Sequence, residues 1–344
     1  MKHVFIINSH TAFLTAIGTI SFLKLDSIEV LFLLVRNYKN DDIPKEVVVY
    51  DVSSLSFESE RVFNRRNFCR RPKMAFVDKV DSFINDIIGE AYHLYAPHLA
   101  HPLWTIMYTN DKCEYFSYIQ EGYIPFKKAY VVKPTTKGKI ENFFYDRITN
   151  GRVWFYRPWY LKEKIKDHSK IDAFAINNSF FSYLPAKCNI IKWPLPKENI
   201  DLIFPRNHTI FIYDAFVTHN LIRSKDYISM CKILIDEQAT EHNYLKFHPG
   251  QSEEEKKKII SYFQLKNLKY TVLENSIPFE YVLMTQKELR LVGYGSSLLF
   301  LAHDYGHEVI CEDDRLMTFK LYSRYRNFCG FMSFKEYISQ KNVI

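Results

Sequence analysis

The sequence predicts an α/β protein made of two doubly wound, parallel-sheet domains facing a cleft. Three observations carry this. Short apolar runs alternate with stretches at helical spacing, the rhythm of βα units. That rhythm runs twice, from residue 4 to 119 and again from 209 to 310, around an irregular aromatic middle. The chain has 344 residues, and at roughly 100–200 residues per domain it has room for two cores.

In the first run, residues 4–8 (VFIIN) read as a strand. The polar turn after them leads into helical spacing from Ala12 to Gly18. Residues 28–35 read as a second buried strand and 46–51 as a third. Val80, Phe83, Ile84, Ile87 and Ile88 place a helix over 79–90. Strands follow at 91–95 and 115–119, the latter ending at Gln120-Glu121-Gly122. Residues 122–170 are irregular and carry Trp154, Phe155, Tyr156, Trp159 and Tyr160. The crossover is placed between 167 and 207, which sets the domains at 1–170 and 171–344.

In the second run, a strand at 209–213 precedes a helix at 224–237. A strand at 243–247 ends at His248-Pro249-Gly250. A helix over 252–263 opens on Ser252 and Glu255, a capping-box pattern. A strand at 270–273, a short helix at 280–285 and a strand at 289–292 lead to Gly293-Tyr294-Gly295-Ser296-Ser297. A helix from 297 and a strand at 308–310 close the run.

Composition excludes several classes. The apolar share is 47%, the charged share 25%, with 10 glycines and 13 prolines, so collagen-like and low-complexity readings fail. The first residues are too soon polar for a signal peptide, and the longest aliphatic run, 30–35, falls far short of the roughly 20 residues that span a bilayer. Six scattered cysteines lack finger spacing and read as reduced thiols in a cytoplasmic protein. Net charge is +7. Part of the excess is Arg61, Arg65, Arg66, Arg70, Arg71 and Lys73. This stretch is either a solvated helix face or a patch for an anionic partner such as a membrane surface. No nucleic-acid motif accompanies it, and no nucleic-acid partner is expected.

Parallel sheets bind ligands at the carboxyl ends of their strands. Glu121 stands at such an end, where a carboxylate can take a proton from a hydroxyl, or it is a surface glutamate in a turn. His248 can donate a proton near neutral pH, or it caps the strand. Gly295-Ser296-Ser297 offers hydroxyls and helix N-terminal amides to a phosphate, or the serines only cap their helix. His93, His98 and His101 lack the further ligands of a metal set, and no metal is expected. Asp313-Asp314 reads as a solvated turn.

Taken in order, Gln120-Glu121-Gly122, His248-Pro249, Pro278-Phe279-Glu280 and Ser296-Ser297 resemble the motifs of bacterial sialyltransferases of the two-domain GT-B fold. The resemblance spans roughly residues 4–310. The family's first motif is a pair of acidic residues before glycine, and Gln120 departs from it. The resemblance implies inverting transfer of sialic acid from CMP-sialic acid to a glycan hydroxyl, with no cofactor. It implies Glu121 as base, His248 as acid to the departing CMP, and Ser296 and Ser297 as phosphate ligands. Glu280 would hold the ribose, with Lys246, Pro249 and Gly295 lining the donor site. Asn8, Ser9, His10, Gln120 and Gly122 would contact the sialic acid or acceptor. The C-terminal helices would pack back on the first domain. The acceptor would be a lipid-linked glycan of lipopolysaccharide, O-antigen or capsule type, presented at a membrane that residues 61–73 touch peripherally. The competing readings are a GT-B transferase using CMP-Kdo or a UDP-sugar, and a non-catalytic binding protein of the same fold.

Overall fold

The computed structural model describes every residue except 41, 64–68, 100, 123–135, 154–170, 179, 182–186, 196–202, 206, 275–277, 330 and 342–344. The chain divides into two compact units, with the division between Pro194 and Leu195.

The first unit contains, in chain order, β1 (Lys2–Ile7), α1 (His10–Leu23), β2 (Val30–Leu34), β3 (Val48–Asp51), α2 (Ser53–Val62) and α3 (Arg70–Phe83). Then follow β4 (Tyr92–Ala96), α4 (Pro102–Tyr108), β5 (Cys113–Ile119), α5 (Thr136–Ile148), β6 (Ile171–Ala175) and β7 (Lys187–Ile190). The strands form one sheet in the order β3-β2-β1-β4-β5-β6-β7, and every pairing is parallel. β2 is buried along its whole length, as is β1 from His3 onward in all but part of that residue. That is why both read as unbroken apolar runs rather than alternating ones.

Three expectations for this unit need correction. The boundary is not at residue 170, because β6 pairs with β5 and β7 with β6. The segment beyond β7 belongs here too. Trp193 Nε1 donates to Thr15 Oγ1 of α1 at 3.2 Å, and Gly18 of α1 lies so close that a Cβ there would sit 2.6 Å from the Lys192 carbonyl oxygen. The helix placed over 79–90 begins at Arg70 and passes into a π-turn over Ile84–Ile88. The basic stretch is therefore not one face. Arg61, Arg70 and Arg71 are exposed, but Lys73 is fully buried with its ammonium 5.9 Å from the Phe63 ring and 5.5 Å from the Tyr145 ring. Burial lowers its pKa. Arg65 and Arg66, like Trp154, Phe155, Tyr156, Trp159 and Tyr160, lie outside the described residues.

The second unit contains β8 (Thr209–Tyr213), α6 (Ser224–Gln238), β9 (His242–Phe247), α7 (Glu253–Leu265), β10 (Lys269–Leu273) and α8 (Phe279–Thr285). It continues with β11 (Arg290–Gly293), α9 (Ser297–Asp304), β12 (Glu308–Cys311), α10 (Asp313–Leu316), α11 (Lys320–Cys329) and α12 (Phe334–Lys341). The sheet order is β10-β9-β8-β11-β12, again parallel throughout. Ser252 caps α7 by accepting from the Glu255 amide at 3.3 Å. The Glu255 carboxylate has no partner among the described residues, so only half of the capping box forms.

Two further expectations change. The C-terminal helices pack on the second unit itself: Tyr322 of α11 meets Phe216 edge-on at 5.4 Å, and Phe334 and Tyr337 of α12 meet Phe300 of α9. Asp313 is not a solvated turn residue. It is 1% exposed, pairs with Arg326 at 2.9 Å and accepts from the Phe334 amide at 2.8 Å. No helix among the described residues is long and apolar enough to cross a membrane.

Gly18→Ala tests the packing of 187–193 on α1. On an open helix alanine gains about 1 kcal/mol over glycine. Here the new methyl meets backbone, and forced overpacking costs roughly 1–3 kcal/mol. The variant is expected to unfold at lower urea than the wild type. An unchanged or higher midpoint would refute this packing.

Candidate functional site

Each sheet has one point where successive connections run in opposite directions, and ligands bind there in doubly wound sheets. In the first unit it lies between β1 and β4. Asn8 leaves β1, Arg36 follows β2, His98 follows β4 and Glu121 follows β5. The structure brings the first three together on the carboxylate of the fourth. Asn8 Nδ2 donates to Oε1 at 2.5 Å. Arg36 Nη1 lies 3.3 Å from the same oxygen. His98 Nε2 lies 3.6 Å from Oε2, and its ring is set against Trp104 with centroids 4.4 Å apart.

Glu121 has a side chain 23% exposed. Burial pushes its pKa above the ordinary carboxylate value, opposed by Arg36, Asn8 and His101. A carboxylate tuned upward is a better proton acceptor near neutrality.

Two other sequence-predicted residues, Ser9 and Gln120, hold this arrangement. Ser9 caps α1 by accepting from the Ala12 amide at 3.1 Å and donates to the Glu121 carbonyl at 2.9 Å. Its hydroxyl is thus engaged by the protein. Gln120 is 1% exposed. Its Nε2 donates to the Gly122 carbonyl and its Oε1 accepts from the Ile176 amide, both at 3.1 Å. It clamps the turn that carries Glu121. His10 Nδ1 meets the Tyr38 hydroxyl at 2.9 Å. Of the three histidines weighed for metal, His101 faces Ser56 and Glu60, and His93 bonds Ser117 and Tyr95. Sequence reasoning missed Arg36 and the pairing of His98 with Glu121. Arg36 stands two residues beyond the last residue of β2, so the strand-end rule was the signal that could have found it.

In the second unit the corresponding point lies between β8 and β11. His248 follows β9 and is exposed. Its amide bonds the Tyr213 carbonyl at 3.0 Å, and the Gly250 amide donates to its Nδ1 at 3.0 Å. That bond assigns the proton of the neutral ring to Nε2, leaving an outward donor. Pro249, which is exposed, follows it. Lys246 Nζ donates to the Glu274 carbonyl at 3.1 Å. Burial brings its pKa down to about 8, with the Glu280 charge opposing. The Glu280 charge is thus near enough to act on Lys246.

The turn after β11 is shaped by close approach. A Cβ on Gly293 would sit 2.5 Å from the Ile212 carbonyl oxygen. Gly295 has φ +55 and would press a Cβ to 2.9 Å from the Tyr322 hydroxyl. Ser296 starts α9, yet its side chain makes no capping bond among the described residues. Side-chain capping does not account for it; of the first amides of α9, that of Leu299 bonds the Ser296 carbonyl at 3.1 Å. The ends of β9 and β11 flank β8, two strand spacings or about 10 Å apart. The span suits a ligand longer than one phosphate.

No protein-family model and no curated protein matches the sequence. Among solved structures the chain is similar to a co-structure of S. aureus MnaA with UDP, at a TM-score of 0.51 and 10% identity, over 90% of this chain and 78% of that one. It is also similar to a UDP-N-acetylglucosamine 2-epimerase structure from Listeria monocytogenes, at 0.47 and 9% over 95% and 87%. A glycosyltransferase from Rickettsia africae follows, at 0.43 and 10% over 90% and 78%. The first likeness establishes a shared fold: two Rossmann-like parallel-sheet units in succession, the GT-B architecture.

Glu121→Gln has a stability signature. A carboxyl whose folded pKa is raised adds stability below its unfolded pKa, and that contribution is lost as pH rises through the folded value. Ionised Glu121 is therefore a cost at pH 8. The variant is expected to melt higher than the wild type at pH 8, with the gap closing near pH 4. A lower melting temperature at pH 8 would show that the pairing with Arg36 outweighs burial.

Proposed function

We propose that the chain is an inverting glycosyltransferase whose donor is CMP-sialic acid. The observation that carries this reading is Glu121. It is a carboxylate with raised pKa, held at the turning point of a parallel sheet by Asn8, Arg36 and His98. Such a group is fitted to take a proton from a sugar hydroxyl.

In this reading the acceptor oxygen attacks the anomeric carbon of the donor. The new C–O bond forms as the bond to the CMP phosphate breaks, and CMP leaves with that electron pair. The acceptor proton goes to Glu121. His248 Nε2–H hydrogen-bonds the leaving phosphate, and Ser296, Ser297 and the first amides of α9 receive its charge. Glu280, beside Lys246, takes the ribose hydroxyls. The acceptor is a lipid-linked glycan, and the exposed Arg61, Arg70 and Arg71 suit an anionic lipid surface.

A second reading is a UDP-sugar donor. The likeness to a structure that holds UDP favours it. Calorimetric titration with CMP and with UDP separates the two. CMP is expected to bind at least tenfold more tightly, and the reverse order would move the donor to the uridine class.

Incubation with CMP-sialic acid and a panel of galactose- and sialic-acid-ended acceptors is expected to release CMP and yield products heavier by one sialic acid. Activity should persist in EDTA. Glu121→Gln should cut turnover by about two to four orders of magnitude, the usual worth of a positioned base. Wild-type turnover in that variant would remove Glu121 from the mechanism. His248→Ala should lower kcat rather than raise the acceptor KM, because its help grows with charge on the departing phosphate. The opposite split would place His248 on the acceptor side.

A further inference from the structure

We propose that Arg36 and Asn8 form a subsite for a carboxylate-bearing sugar, so that the acceptor presented to Glu121 is itself acidic. This rests on the reading of Glu121 as the base that faces the acceptor.

The backbone is built to deliver Arg36. Arg36 has φ 59 and Asn37 φ 54. Two successive non-glycine residues in the left-handed region are costly, and such strain persists where the surroundings enforce it. Here the Asn37 amide donates to Ser53 Oγ at 2.7 Å and holds the turn. The result sets the guanidinium against Glu121. The contact is a single one, from Nη1 at 3.3 Å, and the side chain remains 52% exposed. A guanidinium has five N–H donors. A pairing made only to hold the glutamate would use the fork on both carboxylate oxygens. This one leaves most of the donors for a second anion.

Asn8 supplies an independent observation. Its Nδ2 is committed to Glu121, since a carboxylate only accepts. Its Oδ1 is therefore fixed on the other side of the amide. Asn8 is 8% exposed, and that oxygen has no partner among the described residues. A buried acceptor beside the base calls for a hydroxyl or amide N–H from a ligand. A neutral sugar could satisfy Asn8 but would leave the arginine fork idle. A sugar acid carries both groups: its carboxylate meets Arg36, and a neighbouring hydroxyl or amide meets Asn8.

The arrangement links recognition to reactivity. Asn8, Arg36, His98 and His101 surround Glu121. Arg36 and Asn8 hold its basicity down. A ligand carboxylate that engages Arg36 relieves part of that restraint, so an acidic acceptor strengthens the base that activates it.

The test is equilibrium binding without donor, with sialyllactose, its methyl ester and lactose as probes, followed by calorimetry or ligand-observed NMR. The wild type is expected to bind the acid at least tenfold more tightly than the ester, which differs by one methyl and the loss of charge. Arg36→Gln should bring that ratio close to one, and Arg36→Lys should restore only part of it, because an ammonium lacks the fork. Equal affinity of the wild type for acid and ester would overturn the subsite, as would a ratio unchanged in Arg36→Gln. Transfer to lactose without any preference for the acid would keep the transferase reading and sink this one. Preference for the acid with no CMP release from any acceptor would do the reverse.

Discussion

The first unit depends on β1 being hydrogen-bonded in parallel along both edges, to β2 on one side and β4 on the other. A strand held this way must release its chain at the carboxyl end of the sheet, at the point where the connections diverge. That places Asn8 and Ser9 above the sheet rather than at its edge. From there they reach across β4 to the chain leaving β5, the side chain of Asn8 to the Glu121 carboxylate and the hydroxyl of Ser9 to its carbonyl. Side chain and backbone of the candidate base are fixed by neighbours in sequence that begin the protein's first helix.

Much of this was legible in the residues. β8 and its counterparts in the first unit are uninterrupted apolar runs, and each ends in a polar turn where a strand must stop. The serine and histidine turns stood out because glycine and proline punctuate them. β6 was not legible, because Ile-Asp-Ala-Phe-Ala is short and broken by a charge. It follows a stretch whose aromatics suggest no period. Missing it moved the expected boundary by 24 residues, from 170 to 194. Arg36 was hidden for another reason. Its place just past a strand end was readable, but its partner lies 85 residues away, and nothing local says which strand end that arginine turns toward. Buried charges such as Lys73 and Asp313 were misread because a run of like charges reads as solvated until the packing of a second helix is known.

The likeness to MnaA at 10% identity fits these constraints. Parallel sheets fix where chains leave the strands, and many apolar sequences satisfy that requirement equally well. Ligand preference is carried by the few side chains at the strand ends, and a shared sheet does not transmit it. The second unit illustrates this in Gly293 and Gly295. Gly293 is set by closeness to the Ile212 backbone, and Gly295 by its positive φ and closeness to the Tyr322 hydroxyl, whereas nothing in the sheet dictates the serines beside them.

Gln120 has a consequence for how the site could change. Its amide gives a proton to one backbone carbonyl and takes one from a backbone amide. An ionised carboxylate offers only acceptors. In that position it would keep the bond from Ile176 and turn repulsive toward Gly122. A second acid next to Glu121 could therefore not be introduced as a simple gain of charge, because the turn beneath the base would have to be rewired first. Substitutions at 120 and in the 122 turn are thus coupled, and the single-carboxylate form of the site is locked in by the same bonds that keep the turn in shape.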